Sequence, residues 1–376
     1  MKKFLIVFFT ILVLINVWVY VTDKTFIYTV LYHNLADIDD YKIFNNRIIH
    51  KSKKPQIWIK NNNYNFFPDS IFIQELEDLE TIAFLIIKND SIFFEKYWQE
   101  YNEKSVSNSF SMAKTFVSAL IGVALQEGKI KNIDQKVSEF LPQFKNGKLN
   151  SISLKNLLTM SSGLNWQEEY LNPFSTVSEA YYGNDLNKII FRLKVIDEPG
   201  KVFIYKGGDT QILAFVLEKI YNKTLSEILE EKMWNKLGAE FDALWSLDAK
   251  NGREKASCCL FSNAKDYARI GKLYLDSGKI NTLQIIPKYF ISQSTVANNL
   301  IDKDGKNVNY YGYQWWVIPD YKGKKVFYAR GVSGQYIIVV PDVKLIIVRL
   351  GKKRGPKIGP HLKEVFSMID QGLKIR

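Results

Sequence analysis

A serine three residues ahead of a lysine can sit on the same side of one helical turn as the lysine amine. The amine can then take the hydroxyl proton and leave a nucleophilic oxygen. The chain holds this spacing twice, as Ser111-Met112-Ala113-Lys114 and as Ser262-Asn263-Ala264-Lys265. With 24 Ser and 43 Lys among 376 residues, chance supplies about three such matches, so the surroundings must decide between them.

From Met112 to Leu125 apolar residues fall on every helical face, which predicts a buried central helix stopped by Gly128. Lys114 enters that core in the first turn. A buried ammonium is costly, so such a lysine must find a partner or give up its charge. Beside a serine hydroxyl the uncharged amine accepts a proton, and a rate that rises with pH is expected. Ser111, at the helix N-terminus, also has free N–H groups and a favourable dipole for an oxyanion. The second match reads differently. Lys265, Asp266, Arg269 and Lys272 form a polar face, and Ala264, Ala268, Gly271 and Leu275 an apolar stripe. Ser262 is then an N-cap and Lys265 a solvated side chain.

The elements that must position Ser111 can be read around it. Ile82–Ile87 and Ile92–Tyr97 are strand-like runs joined by Lys88-Asn89-Asp90-Ser91, a hairpin signal. Helical patterns cover about 111–127, 209–222, 225–236 and 262–277. Strands return at Tyr313–Ile318, Lys325–Ala329, Gln335–Val340 and Lys344–Leu350, before a last amphipathic helix from about His361. Strands at both ends with helices between imply one sheet closed by the two ends of the chain and an inserted helical lobe at about 130–255. The expected class is mixed α/β (α+β), an antiparallel sheet flanked by helices. Residues 25–75 are polar and weakly periodic and read as a connector packed on a domain spanning 76–376.

Lys2 and Lys3 precede an uncharged run from Phe4 to Thr22. Nineteen helical residues span about 28 Å, close to the hydrocarbon thickness of a bilayer. The run ends Val19-Tyr20-Val21-Thr22-Asp23 without a small-residue cleavage pattern, so residues 1–24 read as an uncleaved anchor rather than a removed signal. The two lysines favour an inside N-terminus, with the rest outside the cytoplasm; secretion after cleavage is the alternative.

Composition excludes several classes. Hydrophobic content of 47% and charged content of 24% are those of a globular chain. Three histidines and two cysteines argue against a histidine triad, a metal cage or a disulfide scaffold. The net charge of +12 is spread, and its short basic runs lack interleaved aromatics, so no nucleic-acid partner is expected. Adjacent Cys258 and Cys259 would point to opposite faces of a strand and read as two structural thiols. There is no internal repeat.

Ser111–Lys114 lies within Asn108-Ser109-Phe110-Ser111-Met112-Ala113-Lys114-Thr115-Phe116, a string that resembles the class C β-lactamase-like serine hydrolases. That family includes penicillin-binding peptidases, esterases and 6-aminohexanoate-oligomer hydrolases. Further matches follow in order at Leu154–Leu164, Tyr205–Gln211, Ala264–Arg269 and Gly331–Tyr336. The resemblance covers about residues 75–370 and is nearest in style to the 6-aminohexanoate branch. It implies a β-lactamase/transpeptidase-like fold and an acyl-enzyme on Ser111. Lys114 is the implied base and Tyr205 the proton shuttle, hydrogen-bonded to Lys114. The N–H groups of Ser111 and Gln335 are the implied oxyanion hole.

Where the family carries Tyr-x-Asn or Tyr-x-Ser, this chain has Gly207, which removes a polar substrate contact. The family's Lys-Thr-Gly or His-x-Gly is here Val332-Ser333-Gly334, so Ser333 and Gly334 fall at substrate-contact positions. Val332 replaces the cation or imidazole, which weakens recognition of a β-lactam carboxylate. Glu168-Glu169-Tyr170-Leu171-Asn172 mimics the deacylating glutamate of another lactamase class but lacks its companions. It reads as a surface loop at the mouth, with Tyr170 touching substrate. The expected partner is a small ester, amide or peptide; no metal or cofactor is implied. The competing readings are a catalytically weak penicillin-binding-like module that holds cell-wall peptide, and a tethered scaffold without a site.

Overall fold

The computed structural model describes residues 1–33, 36–61 and 66–375; parts of the expected connector, 34–35 and 62–65, lie outside the described residues. The central sheet has seven strands: β1 Ile59–Lys60, β2 Thr81–Lys88, β3 Ser91–Tyr97, β4 Trp316–Tyr321, β5 Lys324–Gly331, β6 Gln335–Val340 and β7 Leu345–Gly351. Their spatial order is β4-β5-β6-β7-β2-β3-β1. All neighbours are antiparallel except β1, which lies parallel to β3 at the edge. Residues from the two ends of the chain meet at β7–β2, where Ile347 pairs with Ile86. The β2–β3 turn places Asn89 and Asp90 at φ 46° and 63°, the left-handed pair that a tight hairpin needs.

Both sheet faces are covered, so β2 is apolar from Ile82 to Ile87, and alternate residues serve two cores. Leu85 and Ile87 join the larger core with Val339 and Val348. Phe84 and Ile86 join the smaller one with Ile338 and Ile347. The longer helices are α1 Lys2–Val21, α2 Phe26–His33, α3 Ser70–Asp78, α4 Ala113–Gln126, α5 Gly207–Tyr221, α6 Ala264–Leu275 and α7 Lys363–Leu373, of which α3 to α7 supply residues to these cores. α4 and α6 lie on the large-core side, and α3 and α7 cover the opposite face. Shorter helices between α4 and α6 build the lobe.

α4 is buried at every residue from Ala113 to Leu125. Each fully buried Phe or Leu there contributes about 2 kcal/mol or more of transfer free energy, which anchors whatever its first turn carries. The described parts of residues 25–75 enter the fold rather than merely covering it. Asn46–Ile49 pairs with Ala243–Ser246, β1 extends the main sheet, and Ile49, Trp58, Phe72 and Leu76 are core residues. α1 is long and apolar enough to cross a bilayer.

Candidate active site

Ser111 sits in the single turn Phe110–Met112 that leads into α4, partly exposed ahead of thirteen buried residues. That turn is strained. Phe110 holds φ 41°, which costs a bulky residue about 1–3 kcal/mol and persists only where its surroundings impose it. Two contacts impose it. The Asn108 amide oxygen accepts from the N–H of Phe110 at 2.9 Å and of Cys259 at 3.1 Å. From the other side Gly331, at the end of β5, packs so closely that a Cβ there would lie 2.3 Å from the Ser109 carbonyl oxygen.

Lys114 is 2% exposed. Its Nζ donates to Ser111 Oγ at 3.0 Å and to the Ser257 carbonyl at 2.7 Å. Neither acceptor is charged. The expected link to the Tyr205 hydroxyl takes another form: Nζ lies over the Tyr205 ring, 5.1 Å from its centroid. Tyr311 and Trp316, each with its ring centroid 5.9 Å from that of Tyr205, hold the ring in place. The structure thus brings Ser111, Lys114 and Tyr205 together and adds Ser257, a carbonyl that no side-chain pattern announces.

Glu168 lies on the expected surface loop, but its carboxylate is wired into the site. Its carboxylate accepts from Trp166 Nε1 at 2.5 Å, Tyr170 Oη at 2.7 Å and the Gly207 N–H at 2.7 Å. The last bond satisfies an N–H at the head of α5, where a negative charge is also favoured by the helix dipole. Gly207 therefore contributes its backbone to Glu168, and a Cβ on it would approach Glu168 and Ser257. Tyr170 is half exposed, and its phenol, which donates to Glu168, also interacts with Ser111. Burial, and then the Glu168 charge, raise that phenol well above the ordinary tyrosine range.

The Val332–Gly334 turn corrects one expectation. Gln335 is fully buried and pairs opposite Gly331, with its side-chain amide donating to the Gly351 carbonyl at 2.5 Å. Its side chain is committed to the interior and closed to solvent. Val332 and Ser333 are partly exposed, and Val332 directly follows the Gly331 that touches the serine turn. Ser333 (φ 60°) and Gly334 (φ 82°) reverse the chain. A Cβ on Gly334 would strike the Arg349 guanidinium at 1.8 Å, so Gly334 faces the interior instead of the substrate.

The second Ser-x-x-Lys is also placed differently from expectation. Asn263, not Ser262, caps α6, accepting from the Asp266 N–H at 2.9 Å. Lys265 is buried and paired with Glu95 at 3.0 Å and Glu103 at 2.5 Å. Cys258 and Cys259 are joined in a disulfide between adjacent residues rather than standing as two thiols. Among the described residues no cluster of His, Cys, Asp and Glu could hold a metal.

Beside Tyr205, Lys206 Nζ and Asp209 Oδ2 are buried without hydrogen-bond partners among the described residues, while Asp209 Oδ1 accepts from Ser162 Oγ at 2.5 Å. Burial pushes Lys206 down and Asp209 up to about 7, so each is shifted toward its neutral form. The folded state holds the Asp209 proton more tightly than the unfolded chain does. The stability from this group is therefore complete below about pH 4 and is lost as pH rises through about 7. Urea unfolding should show a midpoint that falls between about pH 5 and about pH 8, and Asp209→Asn should flatten the fall. An unchanged slope in the variant would remove Asp209 as its source.

Residues 69–364 match the family described as Beta-lactamase. The chain is 23% identical over 299 residues to the 6-aminohexanoate-dimer hydrolase of Paenarthrobacter ureafaciens, covering 75% of each chain. It is 24% identical over 290 residues to the teichoic acid D-alanine hydrolase of Staphylococcus aureus, covering 71% of this chain and 68% of that one. Among solved structures, one assigned as a 6-aminohexanoate-dimer hydrolase from Bacillus anthracis superposes with a TM-score of 0.76 at 23% identity, over 90% of this chain and 91% of that one.

Proposed function

Because this chain belongs to the β-lactamase family of serine hydrolases, we propose that it cleaves an ester or short amide through an acyl-enzyme on Ser111. The observation that carries this reading is the buried Lys114 amine, 3.0 Å from Ser111 Oγ and held on its other side by the neutral Ser257 carbonyl. Ser111 Oγ attacks the substrate carbonyl carbon as Lys114 Nζ takes the hydroxyl proton. The carbonyl oxygen becomes an oxyanion between the N–H groups of Ser111 and Val332; Val332 takes the place expected for Gln335, because it is accessible and adjoins the serine turn. The bond to the leaving oxygen or nitrogen then breaks. The proton passes from Lys114 to that atom, with the Tyr205 hydroxyl as the relay. Water attacks the acyl-enzyme by the reverse proton path and regenerates Ser111.

Tyr170 and Ser333 contribute polar contacts at the mouth. The two named relatives act, by their names, on a 6-aminohexanoate dimer and on the D-alanine of teichoic acid, which supports keeping both bond types open. α1 serves as the anchor and places the catalytic domain outside the cytoplasm. Treatment of the full chain in detergent with a fluorophosphonate probe, followed by peptide mass spectrometry, tests the reading. The expected result is one adduct, on Ser111, that is lost in Lys114→Ala. No adduct on any serine would leave a silent peptide-binding module as the better reading, and an adduct on Ser262 would show the wrong motif was chosen.

A further inference from the structure

The mouth of the site and the outer end of α1 form one packed unit. Val19, in the last turn of α1, is buried against Phe26 and Ile27 of α2, with Tyr182 beside them. Lys188 forms an ion pair with Asp23 just past the helix. The helix end therefore meets the domain without a free linker. The contact continues to the site: the Trp18 ring packs edge-on against Phe174, with centroids 6.1 Å apart. Lys24 Nζ lies over both rings, 5.0 Å and 5.6 Å from their centroids.

Phe174 is four residues from Tyr170, whose phenol stands beside Ser111. Four residues span at most about 14 Å of chain. In this stretch Leu171 is 86% exposed and Phe174 50% exposed, an apolar lip left open beyond its contact with Trp18 and Lys24. What covers it follows from what it touches. Trp18 and Tyr20 stand where a membrane helix meets the head groups, the level that such side chains prefer. Lys24 adds positive charge at that level, Lys188 being paired with Asp23, and this is favourable beside anionic lipid. Apolar residues flanked by cations are the composition of a surface that dips into the interface.

We propose that the site opens onto the membrane interface and takes its ester or amide from an amphiphile held in the adjoining leaflet, its reacting carbonyl at head-group level. This rests on the hydrolase reading above and specifies its substrate class. Tyr170 then stands between the lip and Ser111, at the position a lipid-borne carbonyl must pass.

The test uses the full chain reconstituted in phosphatidylcholine–phosphatidylglycerol vesicles and two fluorogenic esters with the same reacting group. One ester is freely soluble; the other carries two long acyl chains that keep it in the vesicle. The double variant Leu171→Glu/Phe174→Glu should lose about tenfold or more of its rate on the vesicle-borne ester, since charge opposes seating of the lip. Its rate on the soluble ester should stay within about twofold, which also reports that the variant folds. Equal loss on both esters, or loss on neither, overturns the proposal. If the wild-type chain leaves both esters intact, the hydrolase reading itself fails and this inference falls with it.

Discussion

Lys114→Ala should lower kcat for a soluble ester by about 10³-fold with little change in KM, the signature of a proton acceptor that acts in the transition state. The geometry makes this a demanding expectation. Lys114 Nζ has two hydrogen-bond partners, Ser111 Oγ and the Ser257 carbonyl, so no carboxylate is left unpaired by its removal, and the fold should survive. Lys114→Arg should not rescue. A planar guanidinium keeps its proton at any working pH and cannot seat its fork in a slot shaped for a point amine. Tyr205→Phe divides the two contributions of that residue. The ring beneath the lysine is retained and the hydroxyl is lost, so a rate drop measures proton relay alone. Full activity in Lys114→Ala, measured beside an inactive Ser111→Ala, would show that the serine is activated by some other group.

The largest expected effect on stability belongs to Arg349→Met, which should cost about 3–5 kcal/mol in denaturant unfolding. Arg349 is fully buried. Its guanidinium donates to Thr81 Oγ1 at 2.8 Å and to the carbonyls of Gly334 at 2.8 Å, Leu79 at 2.7 Å and Lys353 at 3.1 Å. Burial pulls it down to about 10, and nearby Glu364, which accepts from Tyr336 Oη at 2.7 Å, offsets its charge. Methionine fills the volume but leaves these acceptors dry, and each unsatisfied one costs about 1–3 kcal/mol. Lysine fares little better, since one ammonium cannot span positions that a fork reaches. The Gly334 carbonyl closes the turn that carries Val332, so residual folded protein should also turn over esters more slowly. Unfolding within 1.4 kcal/mol, a tenfold change in the equilibrium constant, would mean that water replaces the guanidinium at no great cost.

What the chain discloses locally, the structure keeps. The β2–β3 hairpin announces itself in Lys88–Ser91, because a tight turn depends on a few neighbouring residues. α4 announces itself through an all-apolar surface, and the buried lysine follows from it. What stayed hidden depends on partners far along the chain. Lys265 reads as solvated until Glu95 and Glu103, over 160 residues earlier, fold against it. Glu168 reads as a loop residue, which it is, but its bond to the Gly207 N–H stays hidden because that group is 39 residues away. Asn108 bridges Phe110 and Cys259 through an amide that no spacing rule singles out. The choice between Val332 and Gln335 rests on a left-handed Ser333, a conformation in which a serine is uncommon. The short β1 strand pairs only because β3 offers it an edge. A signal was nevertheless present in the Gly331–Gln335 string: a glycine ahead of the turn marks where one backbone presses on another.

The ring formed by Cys258 and Cys259 uses both cysteines of the chain, so no free thiol remains. A single cysteine introduced elsewhere would be the sole target of a maleimide dye. Placed at residue 171 of the full chain, such a dye would report by lipid-borne quenchers how deeply the rim of the active site rides in the bilayer, with no background label to subtract.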